Sequence, residues 1–135
     1  MGLAERRIVK DFETNIFPDL KKQIDEAAGF DVPVEVKWDT LTKSDQYSGA
    51  WVASWPKIYF QPIINAFKNI CVDDMGKEAL AGGLKKVIIQ DAKDSYSSDW
   101  AIFEGGTLTL DHQFCNADDV DDRTHTLQKT LEKAL

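Results

Sequence analysis

Three side chains toward the C-terminus have the types and spacing of a metal site. Asp118, Asp121 and His125 stand three and four residues apart, which puts them on one side of a helix. Two carboxylates and an imidazole suit a divalent ion. The same residues also suit a plain helix start, because its unpaired N–H groups and its dipole favour carboxylates there. The glycine-centred spacing of a calcium loop is absent, as is the HExxH pair of zinc proteases. Asp111 and His112 form a second carboxylate–imidazole pair, the minimum for general-base chemistry. No serine or cysteine in a recognisable nucleophile turn accompanies them. The sequence therefore assigns no catalytic residue, no metal and no cofactor, and leaves Asp118, Asp121 and His125 as weak metal candidates.

A second constellation is aromatic. Tyr47, Trp51, Trp55 and Tyr59 recur every four residues. Gly49 and Pro56 argue against one continuous helix through them. One reading is an aromatic lid over the core, since aromatics dominate core burial. Another is a recognition loop, because Trp and Tyr are favoured anchors at protein interfaces. A small-ligand pocket is the third.

The charge pattern is the strongest anomaly. Residues 91–122 hold nine acids (Asp91, Asp94, Asp99, Glu104, Asp111, Asp118, Asp119, Asp121, Asp122) and one base, Lys93, a formal charge of −8. The whole chain carries −7, so the remainder sums to +1. The acidity is local, and a local field selects partners. The bases are scattered in short pairs such as Lys21-Lys22 and Lys85-Lys86. Nucleic-acid binding is disfavoured, since phosphates would be repelled. Gly82-Gly83 and Gly105-Gly106 match neither a P-loop nor a dinucleotide fingerprint.

These residues must be held by a fold that the pattern outlines. A length of 135 residues suits one domain, 1–135, with a core that needs no staples. Ile8, Phe12, Ile16, Leu20 and Ile24 mark a long N-terminal helix, about 3–28, in which Pro18 kinks or restarts the chain. Val34, Val36 and Trp38 alternate with polar residues as a strand. Residues 40–54 read as a loop, and a second helix starts at Ser54 and Pro56 despite Pro62. A short helix follows Asp73. Residues 84–90 read as an inner strand. Gly105-Gly106 lies between two alternating segments, which predicts a hairpin pairing Phe103 with Leu108 and Ala101 with Leu110. A last helix runs from about Ala117 to Ala134, with Asn116 as N-cap and Asp119 closing a capping box. The expected class is α+β: a two-layer domain with a roughly four-stranded mixed or antiparallel sheet, helices mainly on one face, and long N- and C-terminal helices.

No apolar run reaches membrane-spanning length and no signal-peptide core is present, so the expectation is a soluble, cytoplasmic protein. Cys71 and Cys115 are then expected as unpaired thiols. The functional expectation is a non-catalytic protein-binding module, inhibitor-like or immunity-like, for a basic partner. Asp91, Asp94 and Asp99 would supply the charge, with Tyr47, Trp51 and Trp55 as anchors. The alternatives are a metal-assisted or acid/base enzyme, and a small-ligand binder using residues 47–59.

Overall fold

The computed structural model describes residues 1–135. The N-terminal stripe forms two helices, α1 (Leu3–Asn15) and α2 (Phe17–Ala28). The break falls at Ile16, and Pro18 sits in the first turn of α2, where its missing N–H costs nothing. Gly29, at φ 86°, closes α2 in the left-handed conformation that glycine adopts freely.

Strand β1 (Val34–Val36) is shorter than expected. Trp38 does not extend it but begins a short helix, α3 (Trp38–Leu41). Its ring packs against Phe12 and Trp55. That aromatic packing replaces a position in the sheet.

The segment expected as a loop is largely helical. A 3-10 turn, Ser48–Ala50, leads into α4 (Trp51–Trp55), a π-helical turn (Pro56–Phe60) and α5 (Gln61–Ile70). In the π turn the N–H of Gln61 reaches back five residues to the carbonyl of Pro56. The wider register carries the helix past two prolines that an α-helical ladder would resist. Helix α6 (Asp74–Gly83) begins as expected, with the Asp73 carboxylate accepting from the Gly76 N–H at 2.8 Å.

The remaining strands are β2 (Lys86–Gln90), β3 (Ala101–Glu104) and β4 (Thr107–Asp111), and helix α7 spans Val120–Ala134. The sheet order is β1-β2-β4-β3. The β1–β2 and β2–β4 pairs are parallel, and β3–β4 is the antiparallel hairpin. Phe103 pairs with Leu108 and Ala101 with Leu110, as the two-glycine turn requires. Gly105 and Gly106 both have positive φ, at 58° and 83°.

The protein is thus α+β with a mixed four-stranded sheet. Val87, Ile89, Leu108 and Leu110 lie on one sheet face and are fully buried. Ile88, Thr109 and Ile102 lie on the other, which is only partly covered. A single buried apolar cluster draws on all seven helices and on β2 and β4. Helix α5 lies at its centre, against α2 and α7. No helix is long and apolar enough to cross a membrane.

Candidate functional site

Three parallel strands end on the same side of the sheet, and the chain leaves each of them into a loop. Ligands of sheets with parallel strands are commonly met outside these carboxyl ends. The three connections here are residues 37–50, which hold α3 and the 3-10 turn, 91–100 and 112–119, and polar side chains tie them together.

Lys43, after β1, reaches across to the loop after β2. Its ammonium donates to the Asp91 carbonyl at 3.0 Å, the Asp91 carboxylate at 3.2 Å and the Asp94 carboxylate at 2.9 Å. The Thr40 hydroxyl accepts from the Asp91 N–H at 3.0 Å. Asp91 is therefore a buried anchor of this junction, 6 % exposed. Burial raises its pKa, against the opposing pull of Lys43.

Asp111 performs the same task at the end of β4. One carboxylate oxygen accepts from the N–H groups of Ala92 and Lys93, both at 3.1 Å. The other accepts from the Gln90 amide at 2.8 Å. Gln113 adds two bonds, from its backbone N–H to the Ser95 carbonyl and from its side chain to the Asp94 carbonyl. Phe114 stacks on Tyr47 with ring centroids 5.6 Å apart.

His112 lies beneath this surface and is wholly buried. Nδ1 is 2.6 Å from the Gln113 carbonyl, which can only accept, so Nδ1 carries the proton. Nε2 is then the acceptor for the Ser97 hydroxyl at 3.3 Å. Burial lowers the pKa of the ring and keeps it neutral. The Tyr59 hydroxyl donates to the His112 carbonyl at 2.6 Å. Both nitrogens of His112 and both carboxylate oxygens of Asp111 are thus engaged within the protein.

The metal candidates do not converge. Helix α7 starts at Val120, so Asp118 lies before it and shares no helical face with Asp121 and His125. Asp118 instead pairs with Lys57 at 2.9 Å, which lowers its pKa. No group of three or more metal-ligating side chains occurs. The expected cap is also corrected. Asn116 adopts φ 52° and stands outside the helix, and Asp119 takes the N-cap position without a side-chain bond.

The expected aromatic anchors divide. Trp51 is 1 % and Trp55 0 % exposed, stacked on each other in the core. Neither is presented to a partner, and they line the core rather than a ligand pocket. Tyr47 is 53 % exposed. Asp94 and Asp99 are exposed as well. Asp94 is held by Lys43 in a left-handed conformation at φ 52°. The Asp99 carboxylate accepts from the Tyr96 N–H at 3.3 Å, closing the tip of its loop.

Tyr96 escaped the sequence reading, although it is the one aromatic inside the 91–99 loop and 57 % exposed. Arg123 escaped it too. It stands three residues after Val120 and four before Leu127, within the apolar stripe, and that position signalled burial. Its guanidinium is wholly buried and donates to the carbonyls of Asn116, Ala117 and Lys57. It thereby ties the 112–119 loop to the π turn at Lys57.

No protein-family profile, no curated protein and no solved structure matches the chain.

Proposed function

We propose that this protein is a non-catalytic binding module, inhibitor-like or immunity-like, that meets a basic partner protein through the loops at the carboxyl ends of β1, β2 and β4. One observation carries the reading. Asp99 and Asp119 in these loops, and Asp121 and Asp122 in the first turn of α7 that follows, are exposed and take part in no salt bridge, whereas Asp91 and Asp94 are paired with Lys43 and Asp118 with Lys57. Unpaired like charges on one surface repel one another, and a cationic partner relieves that cost while its approach is accelerated. Tyr47 and Tyr96 supply amphipathic anchors beside the charge, the chemistry enriched at interface hot spots. The bonds of Lys43, Asp111 and Gln113 hold the loops in place before a partner arrives, which lowers the ordering cost of binding. The engaged state of His112 and Asp111 favours binding over acid/base chemistry.

The test pairs capture with charge reversal. Proteins retained from lysate at low salt are compared for the native chain and for a variant carrying Asp99→Lys, Asp119→Lys and Asp122→Lys. A basic protein held by the native chain alone is expected. Its association rate should fall about tenfold or more between low and physiological salt, as for steered encounters. Retention by the reversed variant, or a rate indifferent to salt, rejects the proposal.

A further inference from the structure

One surface hollow shares no residue with the loops described above. It is a cavity of about 620 Å³ between α2, the end of α5 and α6, within the range of small-molecule sites, roughly 300–1,000 Å³. Ala27, Ala28, Ala81 and Cys71 contribute its apolar lining, and the half-buried Cys71 thiol lies 3.9 Å from the Ala28 carbonyl. Four ionic side chains line it, Glu26, Glu78, Lys68 and Lys77, and none of them forms a salt bridge. An adjoining hollow differs in this respect, since its Lys21 is taken by both Asp25 and Asp31.

We infer that this cavity is a binding site for a small zwitterion, an amino acid or short peptide bearing both an ammonium and a carboxylate group. The argument is one of charge placement. Helices α2 and α5 end at Gly29 and Cys71, both in the cavity lining. A helix C-terminus carries partial negative charge and unpaired carbonyls, which suit an ammonium donor. Glu26 and Glu78 reinforce that preference, and Lys68 and Lys77 suit the carboxylate. The lining is neutral in sum, with two acids and two bases, so a ligand of single charge would leave one pair unanswered. The inference does not rest on the proposed protein partner.

Cys71 provides a readout inside the site, and Cys115 serves as the internal reference. The protein is screened against the standard amino acids and simple dipeptides, following the thermal midpoint and the rate of iodoacetamide alkylation at each thiol. At least one zwitterion is expected to raise the midpoint. At twice its Kd it should slow Cys71 alkylation about threefold by simple occupancy, leaving Cys115 unchanged. Its N-acetylated and C-amidated derivatives should lose both effects. Ala81→Trp, at an exposed helix position, fills the cavity and should abolish both. Lys68→Ala with Lys77→Ala should weaken binding while leaving the unligated midpoint in place. A screen in which no compound protects Cys71 overturns the inference. Protection that survives Ala81→Trp, or derivatives that bind as well as the parent, overturns it too.

Discussion

The Arg123 guanidinium donates to the carbonyl of Lys57 at 3.3 Å, within the π turn that precedes Pro62. The π turn sets this up. Gln61 bonds five residues back to Pro56, and the next residue in that register, Pro62, has no N–H to offer Lys57. A buried cation thus donates where Pro62 cannot, and two further bonds carry it to Asn116 and Ala117. Only Nε lacks a partner. Arg123→Met preserves bulk but removes the donor to the Ala117 and Lys57 carbonyls, while the Asn116 carbonyl keeps the Asp119 N–H. Buried groups left unpaired cost about 1–3 kcal/mol each, and removing the desolvated charge offsets part of that. We expect a net loss of roughly 2 kcal/mol in urea unfolding. Arg123→Lys should recover little, since a single ammonium cannot span the fork. A loss below about 0.5 kcal/mol, the range of ordinary surface changes, would contradict this role.

His112 gives the pH dependence a definite sign. Burial, the largest influence, lowers its pKa from 6.5, and Arg123 pushes the same way. The Gln113 carbonyl, Asp111 and Asp99 push back more weakly. Below the ordinary value the unfolded chain takes up a proton that the folded chain refuses. Stability is therefore full above pH 6.5 and falls as pH drops toward the depressed value. The slope from this one group is at most about 1.4 kcal/mol per pH unit. Asp91 acts oppositely. Its raised pKa favours the folded state at low pH, and that contribution fades as pH rises through the folded value. Comparing urea midpoints of the native chain and His112→Gln across this range isolates the His112 component. Identical slopes in the two proteins would remove it.

Asp111 should control the order of the proposed binding loop. Its carboxylate is the sole acceptor found for the N–H groups of Ala92 and Lys93. Asp111→Ala frees both, and amide exchange at residues 92 and 93 should quicken well before global unfolding. The stability cost should be about 2–3 kcal/mol, as for hydrogen bonds to a buried charge. Asp111→Asn keeps one oxygen and should lie between. If exchange at these amides follows the global rate in all three proteins, the carboxylate does not order the loop.

The parts of the fold that are local in sequence were legible, and those decided across the chain were not. The hairpin register follows from Gly105-Gly106 alone, because a two-residue turn of positive φ leaves no other pairing. The Asp73 cap and the restart at Pro18 are equally local. Trp51 and Trp55 were misplaced for a different reason. Their spacing is helical, but Gly49 and Pro56 argue against one continuous helix, and nothing nearby in sequence announces a π turn that absorbs Pro56. Trp38 alternates like a strand residue and is drawn into a helix by Phe12 and Trp55, distant partners that no short window contains. At the proposed surface, Asp94, Asp99 and Tyr47 could be read as exposed polar or amphipathic loop residues. The burial of Asp91 depends on Lys43, which lies 48 residues away.

Two glycines in one helix offer a paired test of the α5–α6 packing. Gly76 lies in the first turn of α6, where an added Cβ would overlap the backbone carbonyl oxygen of Ile70. That oxygen belongs to the end of α5 and cannot swing aside as a side-chain tip could. Gly82, near the other end of α6, has nothing within 4 Å of the same position. Alanine is the better helix former at both sites, by about 0.5–1 kcal/mol. The two substitutions should therefore diverge. Gly82→Ala should be neutral or stabilising by up to that amount. Gly76→Ala should destabilise by about 1–3 kcal/mol, the usual cost of forcing extra volume into a tight contact. Because α6 also walls the cavity at Lys77, Glu78 and Ala81, a shifted helix should change the alkylation rate of Cys71 while leaving that of Cys115 alone. Equal stability of the two variants would show that α6 can settle elsewhere against Ile70, and that the close approach is not what fixes its position.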